Sequence, residues 1–249
     1  LSKPYIHLLL RSSISKIFAL YERYAVTKFD LVITATPNIR NKFNKIHHNV
    51  LDINNYPILN ELKTDRNIVQ KSNSIAYIGG ITEIRGIKQL VRALEYCKTD
   101  VRLKLAGEFN SESFRNEIIQ YEGWKRVDEL GFLDRNMVQK LLSEVQAGTV
   151  LYLPLPNHIE AQPNKMFEYM SASVPVIASN YPLWKTIIEG EQCGICVDPT
   201  NPKLISQAID WIFENPDDAQ IMGDNGLKAI KKYNLNNEEK KLLKGYKNL

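Results

Sequence analysis

Strand-length apolar segments alternate with helical patterns from residue 74 onward, and this alternation leaves very few folds open to the chain. The predicted strands are residues 74–78, 101–106, 126–130, 149–155, 174–179 and 194–197. Between the first two, apolar residues recur at the spacing of one helix face: Ile87, Leu90, Val91 and Leu94. Continuous apolar strands joined by helices indicate a parallel sheet covered on both faces. The sequence therefore predicts an α/β fold with a doubly wound, Rossmann-like sheet.

The residues before this region are fewer and less regular. Residues 4–29 have a helical pattern, residues 30–35 form a predicted strand, and Thr36-Pro37 opens another helix. A short strand at residues 50–53 and a polar linker at residues 61–73 follow. About 60 residues are too few for a second complete Rossmann-like domain.

Composition excludes several classes of protein. The chain has 44% hydrophobic and 24% charged residues, which is typical of a globular protein and not of a disordered one. No apolar run approaches the roughly 20 residues of a membrane-spanning helix, and no signal peptide is recognisable. Three cysteines do not make a disulfide scaffold, so we expect a cytoplasmic protein. Cys193 and Cys196 lie in a short apolar segment, which indicates a buried strand in preference to a redox or metal site.

Positive charge is concentrated near the N-terminus. The whole chain has a net charge of +4, whereas residues 1–50 contain eight Lys or Arg and only two acidic residues. Solvated helix faces explain this most simply, and peripheral contact with an anionic membrane is a second interpretation. No aromatic residues alternate with these charges as they do in nucleic-acid platforms, so we expect no nucleic-acid partner.

Residues 160–179 are the most informative segment for function. Glu160 precedes a helix that Pro163 opens, and Glu168 lies one turn inside that helix. The helix start would offer an anion three free backbone N–H groups, those of Asn164, Lys165 and Met166. The Lys165 ammonium would stand beside them, and both carboxylates could accept hydroxyl hydrogen bonds. A ligand with phosphates at one end and sugar hydroxyls at the other would fit.

A glycine-containing junction follows the first strand of the predicted sheet. Gly79 and Gly80 would let the backbone approach a pyrophosphate, and Arg85 could donate a forked contact to it. In isolation the loop also fits a tight turn with a surface arginine. A dinucleotide oxidoreductase fits less well, because Gly79, Gly80 and Gly86 do not spell G-x-G-x-x-G and Glu108 lies 29 residues beyond Gly79.

These two segments resemble the motifs of retaining glycosyltransferases of group 1 (family 4). Residues 160–168 resemble the E-x7-E motif, and residues 174–179 resemble the strand that follows it. The glycine junction resembles the Gly-Arg-x4-Lys-Gly phosphate loop, with Arg85 in the Lys position and Gly80 where many members carry Arg. The resemblance covers essentially the whole chain and is strongest from residue 74 to residue 200.

The resemblance implies the C-terminal two-thirds of a two-domain GT-B enzyme. Residues 1–60 would be a remnant of the N-terminal acceptor domain, residues 61–73 a linker, residues 74–232 the donor-binding domain, and residues 233–249 a crossover helix.

The resemblance also implies roles for individual residues. Glu160 would be catalytic, contacting the transferred hexose and stabilising positive charge at its anomeric carbon, and Glu168 would accept hydrogen bonds from the ribose. The other implied donor-binding residues are Gly79, Gly80, Arg85, Pro163, Asn164, Lys165 and Met166. Gly131-Phe132 resembles the base-binding turn, although packing would explain Phe132 equally well. No Asp-x-Asp occurs in the chain, so no metal cofactor is expected.

The implied activity is transfer of a hexose, with retention, from a UDP- or GDP-sugar to a glycan or lipid-linked acceptor. The setting would be synthesis of a bacterial surface polysaccharide such as capsule or lipopolysaccharide, at the inner face of the membrane. The alternative is a nucleotide-sugar-binding subunit, or a half-enzyme that needs a separate acceptor domain; both interpretations use the same fold.

Overall fold

A computed structural model describes residues 7–62 and 72–249 of the chain. They form two units, one made of residues 56–235 and one made of the residues up to Asn55 together with Asn236–Leu249. Most of the predicted linker, residues 61–73, lies outside the described residues.

The smaller unit contains the predicted N-terminal elements. They are α1 (Leu8–Val26), β1 (Val32–Thr34), α2 (Pro37–Phe43) and β2 (Val50–Asp52). The Thr36 hydroxyl caps α2 by accepting a hydrogen bond from the Ile39 N–H, as the Thr-Pro signal predicts. β1 and β2 pair in parallel, and a small apolar cluster including Phe43 forms beside them. Among the described residues no helix combines the length and the apolarity needed to cross a bilayer.

The larger unit is built on a six-stranded parallel sheet, which confirms the predicted fold class. Its strands are β3 (Ser74–Ile78), β4 (Arg102–Ala106), β5 (Val127–Gly131), β6 (Ala147–Val150), β7 (Val176–Ser179) and β8 (Gly194–Val197). They lie in the order β5-β4-β3-β6-β7-β8, and every neighbouring pair is parallel. The reversal of strand order beside β3 marks the place where doubly wound sheets bind ligands.

Helices join the strands and cover the sheet. They are α3 (Ile87–Ala93), α4 (Glu112–Ile118), α5 (Arg135–Glu144), α6 (Pro156–Ile159), α7 (Asn164–Ser171), α8 (Pro182–Ile188), α9 (Pro202–Glu214) and α10 (Pro216–Ala229). Short 3-10 turns occur at Glu83–Arg85 and Glu122–Arg126. The last helix, α11 (Leu235–Lys247), belongs to the smaller unit from Asn236 onward. Successive residues of β3 alternate between two apolar cores, with Ile75 and Tyr77 in one and Ala76 in the other. Burial on both faces explains why the strands read as continuous apolar runs.

Most strand bounds differ from the predicted ones by one or two residues, and the largest difference is at β6. Residues 149–155 are predicted as strand, but β6 begins at Ala147 and ends at Val150. Beyond Leu151 the chain leaves the sheet, because the Leu153 N–H donates to the Ile84 carbonyl (2.9 Å) and Pro154 has no N–H to donate. The Tyr152 carbonyl accepts from the Ser179 hydroxyl (2.9 Å). These bonds hold an apolar loop at the carboxyl edge of the sheet.

Asp210 on α9 binds the turn that precedes β4. Its carboxylate accepts from the Lys98 N–H (3.0 Å), the Thr99 N–H (3.0 Å) and the Thr99 hydroxyl (2.7 Å). Burial raises the pKa of Asp210, but these hydrogen bonds outweigh burial and hold the pKa below its ordinary value of 3.8.

We predict that Asp210→Ala lowers the free energy of unfolding at pH 7 by about 2 to 4 kcal/mol, because the turn's donors lose their acceptor. Since the folded-state pKa is depressed, the carboxylate's contribution is present above 3.8 and is lost as pH falls through the folded-state pKa. Urea denaturation at several pH values measures both effects. The exposed Asp100 in the same turn provides the control Asp100→Ala. An equal loss in both variants would contradict the prediction.

Candidate functional site

A cavity of about 420 Å³ opens at the carboxyl ends of β3, β4 and β5. It is lined by residues 78–80, 106–110 and 132–133. In an open parallel sheet this edge, beside the reversal of strand order, is the expected place for a ligand. Phe132 is 75% exposed, so it lines the cavity without packing into a core.

Two glycines bring the ends of β3 and β4 together. Gly107 has a φ of +139°, and a methyl group there would stand 2.0 Å from the Gly79 carbonyl oxygen. Gly79 has a φ of +124°, and its N–H donates to the Ala106 carbonyl (2.9 Å). Only glycine adopts these conformations without strain. The wall of the cavity is therefore bare backbone that a ligand can approach closely.

Two cationic side chains converge beside Gly79. A methyl group built there would stand 3.1 Å from Lys165 Nζ and 3.5 Å from Arg85 Nη1. Arg85 Nη1 also donates to the Gly80 carbonyl (3.1 Å), which orients the guanidinium. The Ile78 N–H donates to the Tyr169 hydroxyl (3.2 Å), which holds α7 against the end of β3. Two positive groups so close together favour an anion at this point.

Lys165 is buried without a hydrogen-bond partner. The residue is 7% exposed, and its amine bonds to none of the described residues. Nζ lies 3.7 Å from the centre of the Tyr77 ring and 5.6 Å from that of Tyr152. Burial, followed by the charge of Arg85, holds the pKa of Lys165 well below its ordinary 10.5, and Glu168 opposes this shift. A bound anion would supply the partner that the amine lacks.

The start of α7 differs in one respect from the sequence prediction. Pro163 stands at the N-cap, and the N–H groups of Asn164 and Lys165 have no acceptor among the described residues. The Met166 N–H, however, donates to the Pro163 carbonyl (3.1 Å). The expectation of three free N–H groups is therefore wrong at Met166, because the first turn closes with the tighter 3-10 hydrogen bond.

The two carboxylates have contrasting surroundings. Glu168 Oε1 accepts from Arg135 Nη1 (2.7 Å), and its side chain is 20% exposed. Glu160 follows α6 and is exposed, and its backbone N–H donates to the His158 carbonyl, whereas its side chain forms no hydrogen bond or ion pair with the described residues. Its loop is nevertheless anchored, because the Trp184 indole donates to the Ala161 carbonyl (2.7 Å).

The structure thus brings Gly79, Gly80, Arg85 and Lys165 together, with Glu168 near enough to influence the pKa of Lys165. The roles inferred for these residues, and for Glu160, Pro163, Asn164 and Met166, stay predictions.

Sequence reasoning missed Tyr77, Tyr152 and Arg135. One signal for Tyr77 is present in the sequence: it is the aromatic residue of β3, and two glycines directly follow that strand. Arg135 also had a signal, since it follows the N-cap Asp134 just beyond β5 and so belongs to the same edge of the sheet.

The surroundings of His158, Cys193 and Cys196 indicate structural roles for these three residues. His158 is buried, its Nδ1 lies 3.1 Å from the Leu153 carbonyl, and its ring packs on Tyr152. Cys196 lies in β8 and Cys193 directly before it, and burial raises the pKa of each thiol to about 12. Such thiols are not reactive thiolates. Among the described residues, no three His, Cys, Asp or Glu side chains are grouped so that they could hold a metal ion.

Comparison with known proteins gives a family and a fold. Residues 60–229 match the family model described as glycosyl transferases group 1. An uncharacterized glycosyltransferase of Methanocaldococcus jannaschii is 26% identical over 177 residues, which are 70% of this chain and 44% of that protein.

Two solved structures show the similarity of fold. Anabaena HepE in complex with UDP-glucose superposes with a TM-score of 0.76 at 18% identity, over 91% of this chain and 67% of that one. Sucrose-phosphate synthase from Thermosynechococcus elongatus gives 0.76 at 19% identity, over 94% and 61%. The chain therefore spans less than half of the archaeal relative and about two thirds of these structures.

We predict that Lys165→Met removes a pH-dependent burial penalty. Because the folded-state pKa of Lys165 lies below 10.5, the unfolded chain binds more protons between those two values. The free energy of unfolding of the wild type, relative to the variant, should therefore rise as pH rises towards 10.5 and level off above it. Denaturant titrations from pH 6 upward measure the difference. If the difference in unfolding free energy between wild type and variant did not change with pH, a lowered pKa of the buried Lys165 amine would be contradicted.

Proposed function

Since this chain belongs to the glycosyl transferases of group 1, we propose that it binds a nucleoside diphosphate sugar and transfers the hexose with retention. The donor is a UDP- or GDP-sugar, and the acceptor is a glycan or a lipid-linked sugar. The observation that carries the proposal is the buried, unpartnered Lys165 amine beside Arg85 and the bare backbone of Gly79. The complexes of Anabaena HepE with UDP and with UDP-glucose support a uridine nucleotide.

The proposed pose places the diphosphate at the two cations. The planar Arg85 guanidinium donates hydrogen bonds to the diphosphate, and the buried Lys165 amine gains an anionic partner. The open N–H groups of Asn164 and Lys165 at the start of α7 donate to the same phosphates. The nucleoside extends towards Glu168, and the base enters the cavity beside Phe132.

The proposed reaction uses no protein nucleophile. The bond between the anomeric carbon and the diphosphate oxygen breaks while the acceptor hydroxyl forms a new bond on the same face of the sugar. The acceptor proton passes to the departing diphosphate. Arg85 and Lys165 stabilise the negative charge that grows on the leaving group, and Glu160 stabilises the positive charge at the anomeric carbon. We propose that these two cations replace a divalent ion.

The proposed setting is synthesis of a bacterial surface polysaccharide at the inner, cytoplasmic face of the membrane. Support comes from the basic N-terminal region, in which residues 1–50 contain eight Lys or Arg and two acids. Such a region is attracted to anionic lipids. A chain that binds the donor but needs a separate acceptor domain is the alternative, and a transfer assay with and without added acceptor domain distinguishes the two.

We predict that Arg85→Ala weakens UDP binding about 10- to 150-fold, the loss expected for a charge-assisted hydrogen bond. Isothermal titration calorimetry measures it, and EDTA should leave the affinity of the wild type unchanged. Arg92→Ala is a matched control, because Arg92 lies 5.7 Å from the Tyr121 ring much as Arg85 lies 5.6 Å from that of Tyr152. Unchanged affinity in Arg85→Ala would remove Arg85 from the site.

A second prediction separates the carboxylates. Because Glu168 is assigned to the ribose, Glu168→Ala should weaken UDP and UDP-glucose by the same factor. Glu160→Ala should spare UDP and weaken only UDP-glucose, because Glu160 is assigned to the hexose. Calorimetry with both ligands tests the assignment, and equal losses for both ligands in both variants would reject it.

A further inference from the structure

Arg135 links three segments of the larger unit through one guanidinium group. Its Nε and Nη2 donate to Glu61 Oε1 (3.0 Å) and Oε2 (2.7 Å), and its Nη1 donates to Glu168 Oε1 (2.7 Å). Glu61 lies in a turn with Leu62, Arg135 opens α5, and Glu168 lies on α7. The forked contact with Glu61 fixes the plane of the guanidinium, so the third donor points in one direction.

The cluster of Arg135, Glu61 and Glu168 contributes little to the free energy of unfolding. The side chains of Arg135, Glu61 and Glu168 are 44%, 30% and 20% exposed, and ion pairs so close to solvent contribute only about 0 to 1 kcal/mol. The hydrogen bonds with Glu61, and then those with Glu168, raise the pKa of Arg135, so the group stays charged at any physiological pH. A geometric role is the better explanation for three groups held in this arrangement.

One oxygen of the Glu168 carboxylate stays available to accept a hydrogen bond from a ligand. Arg135 occupies Oε1, whereas Oε2 accepts no hydrogen bond within the described part of the chain. A glutamate that must be ordered when a ligand arrives costs binding free energy in lost rotamers, and a glutamate that is already ordered does not. A fixed oxygen also distinguishes a ligand that presents a hydroxyl at one position from a ligand that lacks it.

We propose that Arg135 is a positioning residue for the nucleotide: held by Glu61, it orients Glu168 to receive a ribose hydroxyl and so sets the preference for ribonucleotides over 2′-deoxyribonucleotides. The inference rests on the proposed function, because it takes Glu168 as the ribose acceptor. Arg135 itself contacts no substrate in this arrangement; it acts through Glu168.

The test compares the affinities of UDP and 2′-deoxy-UDP by calorimetry. The wild type should prefer UDP about 10-fold, the value of one hydrogen bond to a charged group. In Arg135→Gln the preference should fall below about threefold, mainly through weaker UDP binding. Arg115→Gln is the matched control, because Arg115 makes the same forked contact with Glu129 on the surface of the same unit; its preference should equal that of the wild type.

Two further measurements separate positioning from a structural effect. Thermal unfolding of Arg135→Gln should match that of Arg115→Gln within a few degrees. In a Glu168→Ala background, Arg135→Gln should have no additional effect on the preference, because the residue it positions is gone. If Arg135→Gln kept the wild-type preference for UDP, whether or not it weakened both nucleotides equally, the positioning role of Arg135 would be overturned and the proposed function would stand. A wild type that binds UDP without preferring it would also overturn this role, and a wild type that binds no nucleoside diphosphate would overturn the proposed function as well.

Discussion

In a parallel sheet every strand ends at the same edge, and this constraint places the candidate site. β3 lies between β4 and β6, so the turns that follow three different parts of the sequence meet at its carboxyl end. The close approach of the β4 turn to the β3 turn requires glycine at Gly107, where a methyl group would stand 2.0 Å from the Gly79 oxygen. Because Gly79 has no side chain, Arg85 and Lys165 can approach a ligand in the cavity.

The electrostatics of the candidate site would suit a bound anion. Burial and the neighbouring charge of Arg85 make a charged Lys165 unfavourable, and the rings of Tyr77 and Tyr152 only partly offset this. A diphosphate bound as proposed would reverse this balance, since it would lie close to both side chains. In the proposed complex, binding of the anion and protonation of Lys165 would be coupled, so the anion would offset the free energy lost by burying the amine.

Rigidity is distributed unevenly across the proposed donor site. Glu168 is held by Arg135, and α7 is tied to β3 through the Tyr169 hydroxyl, so the nucleotide end of the site is ordered before binding. Glu160, at the proposed sugar end, has an anchored backbone but a side chain with no partner in the described part of the chain. A fixed nucleotide end suits recognition. In the proposed reaction the bound sugar would have to order the Glu160 carboxylate before that group could stabilise charge at the anomeric carbon.

Sequence patterns were enough to predict the parallel α/β fold and to propose Gly79, Arg85, Lys165 and Glu168 as candidate residues. Apolar runs, helical periodicity and glycine at a strand end are local signals, because they reflect burial and backbone freedom along the chain. The end of β6 and the use of the Met166 N–H within its own turn are visible only in the folded chain, where the Leu153 N–H donates to the Ile84 carbonyl. The same holds for the burial of Lys165 without a partner among the described residues, and for the contacts by which Arg135 joins Glu61 to Glu168. These features depend on groups up to 107 positions apart, such as Glu61 and Glu168, and burial and charge pairing between such groups exist only when the chain is folded.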